Sequence, residues 1–223
     1  MATPRPGATN RFRKGNGRAQ EARQALYRDL VLEAAEATFG EQGVKNSRME
    51  QIAEAAGLSL GSVYAVFRGK ACIVDALHER RLRVVLERAG AAARDLSDPL
   101  ETLIAGVRAY VQFFLAHPDY LRMYIAEGAG WGLRGSLTAR SARGSAWEEG
   151  IAMQARLFRR GMESGVFHEG DPDRMARTMV AMQQVRLADW LGDDMADDPK
   201  SLIAEMELQL RRAFCRRAED RTD

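Results

Sequence analysis

A chain of 223 residues with 46% hydrophobic and 29% charged residues and a formal net charge of +2 has the make-up of an average globular protein, with length for one large domain or two small ones. That composition excludes a wholly disordered chain, a coiled-coil rod and a disulfide-built miniprotein, and the two cysteines, Cys72 and Cys215, suit a reducing compartment. No apolar run approaches the ~20 residues that span a bilayer, and no apolar stretch follows the basic N-terminus as it would in a secretory signal. A cytoplasmic protein with no membrane partner is expected.

The small net charge hides an asymmetry. Residues 1–95 hold 16 Lys+Arg against 11 Asp+Glu, whereas residues 96–223 hold 17 against 20. Residues 1–28 alone carry Arg5, Arg11, Arg13, Lys14, Arg18, Arg23 and Arg28 against the single acid Glu21. An anionic partner is therefore expected at the N-terminal end.

In chain order, residues 1–22 are rich in Pro, Gly, Arg and Asn without an apolar period and read as a disordered basic arm. From about Arg23 the chain reads as helical throughout, with no period-two alternation of β-branched residues to suggest a strand. A first helix carries Leu30, Val31, Ala34, Ala35, Thr38 and Phe39 on one face and stops between Gly40 and Gly43. Ser47 with Glu50 three residues later reads as a capping box opening a short helix with Met49, Ile52, Ala53 and Ala56. Gly57 ends that helix, Ser59 caps a third running through Phe67, and a longer fourth extends from about Lys70 to Arg94. Ser97-Asp98-Pro99 opens a new helix, so residues 95–98 are the expected seam between regions. His117-Pro118 divides two more helices, and five glycines between 128 and 145 read as a mobile loop. Helices resume at about Trp147–Ser164, Asp171–Leu191 and Asp198–Ala218.

The expected fold is all-α. A three-helix, homeodomain-like helix-turn-helix domain over residues 23–95, including the linking helix, is followed by a larger helical bundle over 96–223, about nine helices in all. Ile52, Ala53, Ala56, Val63 and Phe67 supply a small core for two crossing helices, and Gly57 permits the turn between them. Ser47 and Ser59 place helix N-termini where free N–H groups can meet phosphate. Tyr64 and Lys70 carry a hydroxyl and an ammonium suited to the backbone, while Ser59, Gly61 and Ser62 keep the third helix slim enough for a major groove.

The stretch 47–70, SRMEQIAEAAGLSLGSVYAVFRGK, resembles the TetR family of bacterial transcription regulators in its Ile-Ala, Ala-Gly, Ser-x-Gly, Tyr, Phe and Lys positions. Weaker similarity extends to Ala34-Ala35, Phe39 and Gly43, to His117-Pro118, and to Gly165-Val166-Phe167 with Asp171-Pro172. The resemblance implies an all-α homodimer that reads palindromic double-stranded DNA with its small N-terminal domain and binds a small molecule in its C-terminal domain. It implies groove or phosphate contacts for Ser47, Ser59, Gly61, Tyr64 and Lys70. Ala65 and Val66 depart from the aromatic or histidine that many members carry, so Arg48, Ser62 and the arm are further candidates for base readout.

Other motifs have blander readings. Gly57-Leu58-Ser59-Leu60-Gly61 matches the nucleophile elbow G-x-S-x-G, but a helix precedes it where that motif needs a strand. Gly130 to Gly135 fits G-x-G-x-x-G without a preceding strand, and His78, His117 and His168 show no metal spacing. No cofactor, metal or catalytic residue is expected. In the C-terminal part, large side chains either fill a solid core or line an adaptable cavity. Phe114, Met123, Tyr124, Trp147, Phe158 and Met179 are the candidate ligand contacts, with Arg186, which stands on an apolar stripe and either pairs at a dimer interface or faces a ligand anion. Apolar residues on both sides of the last two helices need a partner to cover them, and the resemblance implies that this partner is a second copy, in a homodimer through those helices. The expected function is a ligand-responsive regulator, released from its operator by a small hydrophobic or amphipathic molecule. The alternatives are a DNA-binding protein of the same fold acting without an inducer, as an architectural protein or activator, and a hydrolase using Ser59.

Overall fold

The computed structural model describes residues 8–127 and 145–216, with side chains from Gly17 in the first stretch and from Ala146 in the second. The expected glycine loop, with Gly130 to Gly135 and Trp131, lies outside the described residues, as does Arg5. Nine helices are described: α1 (Ala8–Asn46), α2 (Met49–Ala55), α3 (Leu60–Val66), α4 (Lys70–Ala92), α5 (Pro99–Leu115), α6 (Pro118–Ala126), α7 (Ser145–Glu163), α8 (Pro172–Gly192) and α9 (Pro199–Phe214). The described chain forms two compact units, one up to Val74 and one from Asp75. The division falls inside α4, earlier than the seam expected at 95–98, because the later part of α4 packs in the C-terminal unit.

In the first unit, α1 begins at Ala8, so residues 8–22 are helical where composition suggests an arm without structure. The reason is local: Ala, Arg, Lys, Gln and Glu are good helix formers even without an apolar stripe, and the described side chains from Arg18 to Ala22 are exposed. At Gly43 the backbone leaves helical geometry (φ 75°, ψ 156°), a left-handed step that glycine takes without strain. Val31, Leu32, Ala35 and Phe39 of α1 are buried, as are Ile52, Ala53, Val63 and Phe67 of α2, α3 and the turn after it. The α2–α3 turn is a Schellman motif: Leu58 N–H donates to the Ala53 carbonyl (2.9 Å) and Gly57 N–H to that of Glu54 (3.0 Å), with Gly57 at φ 65°.

In the second unit three helices open alike, with an Asp N-cap and Pro at the first position. Asp98 accepts from Glu101 N–H, Asp171 from Asp173 and Arg174 N–H, and Asp198 from Ser201 N–H. The Asp171 carboxyl is held below its ordinary pKa, first by the Arg174 N–H it accepts. The core is aromatic. Tyr110, Phe113 and Phe114 of α5 meet Tyr120 and Tyr124 of α6, with Phe114 stacked on Tyr120 at 5.6 Å and 17°. His78 joins them through Nδ1, 3.1 Å from the Tyr120 hydroxyl. A second cluster sets Phe158 against Phe167 and Phe214 at 5.1 and 5.0 Å. An isolated antiparallel bridge, Phe167 to Cys215, ties the α7–α8 turn to the end of α9.

The tightest fit of the second unit is at Gly161, where an added Cβ would stand 2.1 Å from Cδ2 of the buried Phe167 ring. Gly161→Ala is expected to lose about 1–3 kcal/mol by overpacking, read as a lower urea midpoint; Gly106→Ala, where a Cβ meets no atom within 4 Å, is the control expected to hold its midpoint or raise it.

Candidate nucleic-acid interface and effector cavity

The sequence singles out seven residues around α2 and α3, and the structure separates them into two kinds. Arg48, Ser59, Gly61 and Tyr64 are exposed and Ser62 is half-buried. Ser59 caps α3, its hydroxyl accepting from Ser62 N–H at 3.2 Å and lying 2.9 Å from the Ser62 hydroxyl. Tyr64 lies 48% exposed on α3, unusual for an aromatic ring in a unit this well packed. These five form the face of α3 and the start of α2 that is open to a partner.

Ser47 and Lys70 are of the other kind. Ser47 is 2% exposed, and its hydroxyl donates to the Gly43 carbonyl at 2.7 Å, with that of Thr38 also near at 3.4 Å. It is not the cap of α2. The N-cap is Arg48, whose N–H is taken by the Gln51 side chain at 2.8 Å, so the box expected from Ser47 and Glu50 sits one residue later. The Lys70 ammonium donates to the carbonyls of Val44 (2.6 Å), Lys45 (3.2 Å) and Ser47 (2.6 Å). All three of its protons are used on the backbone that ends α1. A cation there neutralises the orphan carbonyls of a helix C-terminus, so Lys70 is a structural clamp in this geometry rather than a phosphate contact.

Among the described residues the Ser59 hydroxyl has neither a histidine nor a carboxylate as a hydrogen-bond partner, and its oxygen accepts the capping bond. That removes the geometry a serine nucleophile requires.

The C-terminal unit contains an apolar cavity of about 120 Å³ between α4, α5, α7 and α8. Its walls include Val85, Leu86 and Ala89 of α4, Leu103, Val107 and Tyr110 of α5, Met153 and Leu157 of α7, and Met179 and Gln183 of α8. Small residues on two helices, Ala89, Gly90 and Ala93 with Gly106, leave the space unfilled. A smaller space of about 40 Å³ shares Val85, Leu86, Tyr110 and Gln154 with it and reaches Trp147 and Ile151.

Of the seven expected ligand contacts, Met179 lines the main cavity and Trp147 the smaller one. The other five line neither space. Phe114, Met123 and Tyr124 are at most 1% exposed, with both rings in the aromatic core, and the Tyr124 hydroxyl accepts from Gln184 Nε2 at 3.0 Å. Burial and the neighbouring Tyr110 and Tyr120 push the Tyr124 hydroxyl well above its ordinary pKa. Phe158 is sealed between Phe167 and Phe214. Arg186 lines an open groove along α8 that also holds Asp189, Asp193, Asp197 and Glu205, and its guanidinium donates to Asp197 (2.6 Å) and Glu205 (2.9 Å). The seven expected contacts leave out Tyr110, Gln154 and Gln183, which with Thr102 are the polar residues of the cavity wall. The signal was there for Gln183, an amide one helical turn after Met179 on an apolar stripe.

A family model described as bacterial regulatory proteins of the tetR family matches residues 31–77, which span most of the first unit. The HTH-type transcriptional repressor NicS of Pseudomonas putida (strain KT2440) is 27% identical over 195 residues, covering 83% of this chain and 89% of that protein. The fold is shared with the fatty acid degradation regulator FadR from Bacillus halodurans (TM-score 0.72, 19% identity, 84% of this chain and 95% of that chain). It is shared too with the regulator FadR from Bacillus subtilis in complex with stearoyl-CoA (TM-score 0.69, 19% identity, 81% of this chain and 96% of that chain). With the helix-turn-helix geometry and the family match over it in agreement, residues 31–77 form a DNA-binding domain of the kind found in bacterial regulatory proteins of the tetR family, and the chain as a whole is similar to a transcriptional repressor.

Proposed function

We propose that this protein is a cytoplasmic repressor that binds a palindromic operator as a homodimer and leaves it when a small molecule occupies the cavity of the C-terminal unit. The observation that carries the reading is the exposed face of α3, with Tyr64, Ser59 and Gly61 open beside Arg48, in a chain that also holds an apolar cavity. Residues 23–95 would be the reading head with its linking helix, and residues 96–223 the sensor and dimerisation part, with the cavity drawing its α4 wall from 85–90. Similarity to NicS, a transcriptional repressor, supports repression over activation.

The dimer would form through α8 and α9, where Val185 and Leu208 are each 47% exposed. Apolar surface of that kind on two long helices gains by meeting a second copy. A two-fold dimer matches half-sites about one helical turn apart. α4 carries both the Lys70 clamp and the cavity residues Val85, Leu86 and Ala89, so it is the element through which a ligand would act. Release requires the ligand to favour one dimer geometry, and coupling of about 1–3 kcal/mol changes operator affinity several-fold or more. The basic charge of residues 1–28 would add attraction to the DNA backbone.

Selection from random duplexes with the full chain is expected to return a palindrome; enrichment of no sequence, or of an asymmetric one, overturns the reading. On the selected operator, Arg48→Ala and Tyr64→Ala are each expected to weaken binding about tenfold or more with an unchanged melting temperature. Lys70→Met is expected instead to cost about 2 kcal/mol of stability, because it strands three helix-end carbonyls. In analytical ultracentrifugation the pair Val185→Glu and Leu208→Glu should convert a dimer to a monomer of 24.8 kDa.

A further inference from the structure

The cavity of the C-terminal unit is not purely apolar, and its polar atoms are orphans. Among the described residues, the Tyr110 hydroxyl, Gln154 Oε1 and Gln183 Nε2 are buried with no partner at full hydrogen-bond geometry, the Tyr110 hydroxyl lying near the Tyr124 and Gln184 side chains; Tyr110 and Gln183 are only 7% and 4% exposed. All three residues line the same space, and Tyr110 and Gln154 also line the smaller one beside it. A native protein does not leave three such groups stranded around one void without cause, since each carries the full desolvation penalty of an unmade bond.

The three atoms differ in kind. Gln183 Nε2 donates, Gln154 Oε1 accepts, and the Tyr110 phenol does either. Burial pushes the Tyr110 hydroxyl up to about 12, so it keeps its proton throughout the physiological range. Among the described residues no charged side chain lines either space. Thr102, also on the wall, spends its hydroxyl on the Asp98 carbonyl at 2.7 Å. An ion entering here would lose its hydration and meet no counter-charge, which is the most unfavourable kind of burial. A hydrocarbon would enter but leave all three orphans unmet. The size is restrictive as well: about 120 Å³ compares with the cavity of about 150 Å³ that takes benzene in another protein.

We propose that this cavity takes a small neutral molecule about the size of a substituted benzene ring, bearing a group with both a hydrogen-bond donor and an acceptor, a primary carboxamide above all, received by Tyr110, Gln154 and Gln183. The carboxamide oxygen accepts from Gln183 Nε2 or from the phenol, and its N–H donates to Gln154 Oε1. A carboxylate has only acceptors to offer and sets a charge against Gln154 Oε1. The assignment rests on the reading of the C-terminal unit as the sensor.

The test uses the full chain, isothermal titration at neutral pH, and benzamide, benzoate and toluene as probes of one shape and three chemistries. Benzamide is expected to bind about tenfold or more tightly than either of the others. Tyr110→Phe and Gln183→Leu, each with the melting temperature of the unliganded protein recorded, should each cost benzamide about five- to tenfold and leave toluene as tight or tighter. Gln154→Leu gives the same reading should either of those fail to fold. Benzoate or toluene binding as tightly as benzamide, benzamide failing to bind, or folded variants that keep its full affinity would each overturn the assignment. A parallel titration of the selected operator keeps the two readings apart. Benzamide bound with the expected preference but with DNA retained supports the cavity assignment and overturns the sensor reading. Operator release by benzoate or a coenzyme A thioester, without benzamide binding, overturns the cavity assignment and supports the sensor reading.

Discussion

The helix-turn-helix unit depends on one ammonium group. Lys70, the first residue of α4, closes three backbone carbonyls from Val44 to Ser47, just after the chain has broken out of α1 at Gly43. Those carbonyls could not be met by the helix itself, because its last turn has no N–H groups beyond it. Ser47 adds a second tie by returning its hydroxyl to Gly43. With the end of α1 and the start of α4 joined in this way, Arg48 is free to open α2 and Ser59 to open α3, and the side chains left facing solvent are those suited to contacting DNA. Two residues that look like ligands of DNA thus act as the frame that holds the others.

A different constraint governs the C-terminal unit. Helix α5 presents Leu103, Gly106, Val107 and Tyr110 to a void, while Phe113 and Phe114 go to a solid aromatic core. The two destinations come from helical spacing: Leu103, Gly106, Val107 and Tyr110 recur at three- and four-residue intervals on one stripe. Glycine and alanine on the facing walls keep the void open, and the dense stacking of Phe114, Tyr120 and Tyr124 beside it gives that void a rigid side. A rigid wall with a few unmet polar groups is what discrimination between small ligands requires, because an adaptable wall would accommodate them all.

Arg186 illustrates how the same residue reads differently in one dimension and in three. On the sequence it interrupts a stripe of methionines and invites an anion. In the fold its two carboxylate partners, Asp197 and Glu205, come from the turn before α9 and from α9 itself. They satisfy the guanidinium from within one unit and raise its affinity for the proton further. Phe114 and Phe158 are alike in this respect, since their size predicts burial but not which void or core receives them.

Helix starts at Asp-Pro pairs, the glycine at the α2–α3 turn, the small residues between crossing helices and the family pattern over 47–70 were legible in the chain, because each is a local requirement of backbone geometry satisfied by neighbours in sequence. What only the tertiary structure decided is the fate of individual side chains: Lys70 clamped to carbonyls more than 20 residues earlier in the chain, three polar groups gathered from α5, α7 and α8 around one cavity, and α4 shared between two units. Such pairings join residues far apart in the chain, and hydrophobic periodicity states which face of a helix is buried without stating against what. The modest net charge is the plainest case. Its division between a basic beginning and a mildly acidic remainder is legible in the chain, while the uncharged lining of the cavity among the described residues appeared only once the helices had been packed together.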